Sequence, residues 1–81
     1  MYDSKLIMTT RCFKFVRITD ENATSYEISL RPGAKFEYAD SMAEINMTFN
    51  PKKTDTRRTM WRFDSYEEAE QKLQWAILKW D

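Results

Sequence analysis

"RRTMWRFDSYEEAEQKLQWAILKW", residues 57–80, decides the fold. Its opening residues alternate: Thr59, Trp61 and Phe63 fall on one face of an extended strand, and Arg58, Met60 and Arg62 on the other. Ser65 followed by Glu68 has the spacing of a capping box, and Asp64, Glu67, Glu68 and Glu70 sit where the positive end of a helix dipole favours carboxylates. The period then changes from two to 3.6. Tyr66, Ala69, Leu73, Ala76, Ile77 and Trp80 gather in one stripe, the footprint of a helix lying on a sheet. A last strand therefore feeds a helix over 65–80 that starts at about Tyr66.

Upstream, Asn50-Pro51 predicts a turn. "AEINMTF" (43–49) alternates with Ala43, Ile45, Met47 and Phe49 inward and reads as a strand, and "KFEYA" (35–39) as a short one before it. "RCFKFVRIT" (11–19) is rich in β-branched and aromatic residues. With the turn chemistry of "DENA" (20–23) and the alternating "TSYEISLR" (24–31) it predicts a hairpin. The expected architecture is α+β: an antiparallel sheet of four to five strands with one C-terminal helix packed on one face. One domain spans 1–81, with an N-terminal arm over 1–10, the sheet over 11–63 and the helix over 65–80.

A chain of 81 residues has room for one compact core, and aromatic residues at 15% supply large rings to build it. One cysteine, Cys12, closes no disulfide within the chain. No apolar run reaches the roughly 18 residues that would span a bilayer, and "MYDSKLIMTTR" lacks a signal-peptide core. A cytoplasmic location is expected. Met8, just before the first strand signal, is an alternative to Met1 as the start.

Thirteen basic and thirteen acidic residues give no net charge, which argues against a non-specific duplex-DNA binder. The signs are nonetheless segregated. Residues 1–20 carry four basic and two acidic groups, 21–50 two and five, 51–63 five and one, and 64–81 two and five, or +2, −3, +4 and −3. Histidine is absent, so no His-based triad can be built, and the single glycine rules out a phosphate-cradling loop. No catalytic residue, metal site or cofactor is expected, and the chain reads as a binding protein.

Three stretches carry the binding reading. In 11–18, Arg11, Phe13, Phe15 and Arg17 share a strand face on which rings stack on bases and guanidinium groups hold phosphates, unless the two phenylalanines are core. Its arginine, alternate phenylalanines and valine resemble the ribonucleoprotein motif of the RNA-recognition-motif family. Cys12 and Lys14 replace that family's small residues and Ile18 its final aromatic, and the stretch opens the domain where the family has a third strand, so no fold is carried over. The second stretch is the basic set Lys52, Lys53, Arg57, Arg58 and Arg62 with Met60, suited to phosphates or to an acidic protein surface and otherwise paired with Glu27, Glu37 or Glu44. The third is the pair Trp75 and Leu78, which points away from the packed stripe of the helix. Either "KLIM" (5–8) folds back to cover that pair, or it anchors a protein interface.

The passage from "RFDSYEEAE" into a capped helix, in a small, neutral, aromatic-rich domain, resembles the small accessory proteins encoded by bacteriophages, among them inhibitors of bacterial immunity such as anti-CRISPR and antitoxin-like proteins. The resemblance implies stoichiometric docking on a host protein or ribonucleoprotein without catalysis, here through Trp75, Leu78, Arg57, Arg58, Met60 and Arg62. The alternative is a small RNA or single-strand binder using Arg11, Phe13, Phe15, Arg17, Lys52 and Lys53. A third reading is a structural homodimer.

Overall fold

A computed structural model describes residues 3–32, 39–50 and 58–81, with the side chains of 39–41 left aside. Four strands, β1 (Asp3–Thr9), β2 (Phe13–Thr19), β3 (Thr24–Leu30) and β4 (Met60–Phe63), form an antiparallel sheet in the order β1-β2-β3-β4. Helix α1 (Ala39–Phe49) precedes β4, and α2 (Tyr66–Trp80) follows it. The α+β class, the β2–β3 hairpin, the last strand and the C-terminal helix are as the sequence predicts. Three elements differ. Most of the expected N-terminal arm is strand β1, residues 11–12 belong to the β1–β2 turn, and the stretch 43–49 is helical. Of the short strand expected over 35–39, residues 35–38 lie outside the described residues and Ala39 opens α1.

The helical state of 43–49 has a specific cause. A strand would bury Ala43, Ile45, Met47 and Phe49 together, whereas Met47 is 64% exposed and Asn46 is 3% exposed. Ile45 and Phe49, one helical turn apart, enter the core with Asn46 between them. A buried carboxamide must be hydrogen-bonded to be tolerated. Asn46 donates to the Met42 and Arg58 carbonyls at 3.0 and 3.2 Å, and its oxygen accepts the Trp61 indole N–H at 3.0 Å. Phe49 stacks on the same indole, ring centroids 4.5 Å apart. Among the described residues no buried side-chain nitrogen or oxygen lacks a partner.

The core lies between one sheet face and the two helices. Phe13, Phe15, Ile28, Trp61 and Phe63 from the sheet meet Ile45 and Phe49 of α1 and Ala69, Leu73 and Ala76 of α2. Tyr66 extends this layer by stacking on Phe15 at 5.7 Å, and Ile77 and Trp80 are half-buried against it. The capping box is only half formed: the Glu68 N–H donates to Ser65 Oγ at 3.4 Å. Glu44 contacts Lys79 at 2.8 Å, and Lys72 Nζ donates to the Phe49 carbonyl at 3.3 Å. These two contacts run in opposite directions along the helices, so α1 and α2 are antiparallel, with Lys72 satisfying a carbonyl at the end of α1.

The far end of α2 is clamped to the β1–β2 turn. Asp81 accepts hydrogen bonds from the Thr10 hydroxyl at 2.9 Å and from the Arg11 and Cys12 N–H groups at 3.2 and 2.8 Å. Burial works to raise the Asp81 pKa, but these bonds outweigh it and hold the carboxyl below its ordinary 3.8. Burial pushes the neighbouring Cys12 thiol up, and the Asp81 charge adds to the effect. That thiol donates to the Trp80 carbonyl at 3.5 Å.

Two stability predictions follow from these contacts. Asn46→Leu strands the Trp61 N–H in the core and should cost about 1–3 kcal/mol in denaturant unfolding; unchanged stability would contradict the bond. Because its folded pKa is depressed, Asp81 contributes stability above the ordinary carboxylate value, and that contribution is lost as pH falls through the folded value. Asp81→Asn should therefore melt below the wild type at pH 7, with the difference closing as the pH falls below the folded value.

Candidate docking surface

The register sorts each predicted site residue onto a face, because directly opposed residues share one. Phe15 opposes Ile28, which opposes Trp61, and Phe13 opposes Leu30, so both phenylalanines face the helices. Both are fully buried. They are core residues, the second of the two readings the sequence left for 11–18, and they form no base-stacking platform; this corrects the alternative that used them to bind nucleic acid. Arg17 opposes Tyr26 and so lies on the helix side, while Arg62 opposes Glu27 on the other side, with β3 between β2 and β4. Arg11 sits in the turn before β2. The arginines of 11–18 are therefore not brought together with Arg62. Lys52, Lys53 and Arg57 lie outside the described residues.

Strand β2 is apolar on both sides because it lies inside the sheet. Its face away from the helices holds Val16, half-buried, and Ile18, buried outside the main core. That face also carries Lys14, Ser25, Glu27 and Ser29, with the exposed Leu6 opposite Val16 and the exposed Met60 opposite Ser29. Arg62 contacts Glu27 there at 3.3 Å, the cross-strand pairing expected of an ordinary strand face. Glu44 is taken by Lys79 instead, and Glu37 is outside the described residues.

Trp75 and Leu78 are different. They are 52% and 86% exposed on the outer side of α2. "KLIM" does not cover them, since Lys5–Met8 are built into β1. The antiparallel helix contacts place Met47, on the outer side of α1, level with Trp75. Three large apolar side chains thus mark the outside of the helix layer, with the Glu44–Lys79 ion pair beside them. Scattered exposed apolar residues are ordinary on a small protein; an indole grouped with two other large apolar side chains is the composition of an interface anchor. Met47 was missed in the sequence because a strand reading turned it inward.

A concave surface lies along the outer edge of β4. A cleft of about 550 Å³ is lined by Phe49, Trp61 and Phe63, by Arg58, Arg62 and Lys72, and at its far end by Asp64 and Glu68. Lys72 sits over the Phe63 ring, 5.8 Å from its centroid, and 3.8 Å from Glu68. Among the described residues no three His, Cys, Asp or Glu side chains are grouped to hold a metal, and no helix is long and apolar enough to cross a membrane. No family model, curated protein or solved structure matches this chain, so the two surfaces stand on their geometry alone.

Proposed function

We propose that this chain is a non-enzymatic binding protein that docks stoichiometrically on another protein through the outside of its helix layer, with Trp75 and Leu78 as anchors. The observation that supports this is the exposure of both side chains on a helix whose opposite face already buries Ala69, Leu73 and Ala76 in the core. Removing an exposed indole and leucine from water is favourable, and the rigid helix pair holds them in place before any partner arrives. Gln71 and Gln74 on the same side of α2 supply a polar surround of the kind that rims interface cores. The loss of the Phe13/Phe15 platform leaves protein docking ahead of RNA binding.

The setting we infer from the resemblance of 57–80 is a phage-type inhibitor or accessory factor, with a host protein or ribonucleoprotein of a defence or toxin system as partner in the host cytoplasm. The test is the double variant Trp75→Gln/Leu78→Ser, used beside the wild type to capture partners from host lysate, with protein and RNA both identified. Surface substitutions of this kind should leave the melting temperature nearly unchanged. The expected result is one protein held by the wild type in a 1:1 complex and lost by the variant. Equal retention by both would sink the reading. So would a collapse of the variant's thermal stability, which would assign the pair to the fold.

A further inference from the structure

We infer that the outer edge of β4, with its cleft, takes an extended acidic segment of a protein partner by strand addition. The Leu30 N–H donates to the Thr59 carbonyl at 2.9 Å, which makes Leu30 and Thr59 a hydrogen-bonded pair. Such pairs alternate along an antiparallel ladder. Ile28–Trp61 and Tyr26–Phe63 are then also hydrogen-bonded, and the N–H and C=O groups of Met60 and Arg62 point away from β3.

The preceding residue of the same parity confirms the direction. The Arg58 carbonyl, which also points outward, is met by the Asn46 carboxamide of α1 at 3.2 Å. Asn46 thus occupies at Arg58 the place a neighbouring strand would take. Beyond it, no loop or turn backbone hydrogen bond among the described residues reaches the outward groups of Met60 and Arg62; Arg62 lines the cleft together with Phe49, Trp61 and Phe63.

Charge selects the occupant. The Arg58 guanidinium has no partner among the described residues, and Arg62 is 56% exposed with a single contact to Glu27. A guanidinium carries five N–H donors, so Arg62 has capacity for a second carboxylate on the cross-strand residue beside it. Asp64 and Glu68 close the other end, which places the acidic part of the segment beside Arg58 and Arg62 and excludes it from the start of α2.

The opposite edge is unsuited to this role. Strand β1 carries a bulge between Leu6 and Met8 and a central Lys5, both devices that discourage strand addition. Strand β4 keeps one register from Met60 to Phe63.

The test is a titration of the full chain, followed through backbone amide NMR shifts, with an end-capped nine-residue peptide of alternating Glu and Val, its Lys-Val counterpart as control. The Glu peptide should shift the Met60 and Arg62 amides, and the Lys peptide should not. Arg58→Glu/Arg62→Glu should weaken Glu-peptide binding by at least about tenfold and transfer it to the Lys peptide. Met60→Pro removes one outward N–H while sparing the bonds to β3, as edge prolines do. It should abolish binding with the melting temperature preserved, and it stands in if the charge-reversed variant fails to fold. Trp75→Gln/Leu78→Ser should keep full peptide binding, which separates this site from the helix-layer surface. Absence of shifts, equal shifts with both peptides, or shifts centred on β1 would overturn the inference. Oligouridylate moving the same amides more strongly than the Glu peptide would overturn it too, giving the edge to nucleic acid.

Discussion

The indole of Trp61 is the point on which the architecture turns. Its ring face is stacked by Phe49 and its N–H is accepted by Asn46, so one side chain of β4 fixes both the depth and the rotation of α1. Neither contact works without the other. An aromatic stack alone leaves a helix free to slide, and a buried amide without a donor and carbonyls around it is costly. Together they seat the helix, whose packing Ile45 and the Phe49–Phe13 edge contact complete, and α1 in turn forms one wall of the cleft beside β4 and shields the Arg58 carbonyl. The polar part of the core is therefore as much a determinant of shape as the apolar part.

Most of the sheet and all of α2 were legible in the sequence because their signals are local. Period-two alternation in 24–31 and 57–63 and the capping residues around Ser65 act within a few positions, and the structure follows them closely. The stretch 43–49 was misread because its apolar residues fit a strand spacing and a helical one alike. The deciding residue, Asn46, is polar, and its burial depends on Arg58 and Trp61, twelve and fifteen positions further along the chain. No window over 43–49 contains that information. The first strand was missed for a related reason: exposed along its whole length, β1 shows no clean alternation of wet and dry faces. Of the candidate site, Trp75 and Leu78 followed from helical angles alone, whereas Met47 and the β4 cleft depend on α1.

The segregation of charge along the chain becomes intelligible in three dimensions. The acidic start of α2 complements its own dipole, and the later Lys79 reaches across to Glu44 of the preceding negative segment. Arg62 of the positive segment likewise reaches Glu27 across the sheet. Exposed pairs of this kind contribute little to stability, about 0–1 kcal/mol each. Their role is better understood as orientation, leaving the Arg58 guanidinium without a partner among the described residues beside β4 and an apolar outer face on the helix layer. The two surfaces are thus chemically distinct.

The meander order of the sheet has a consequence for motion. Among the described residues strand β1 pairs with one neighbour, β2, and every one of its residues is exposed, while the core begins at β2. Opening of β1 would uncover little apolar surface, so its amides should exchange with solvent through local fraying, well before the global unfolding that governs β2 and β3. Its anchor is at the turn, where Asp81 grips Thr10 to Cys12, so fraying starts at the Asp3 end and runs towards the clamp. The least buried strand of the sheet thus sits at its edge, with its one described anchor outside the sheet at the turn.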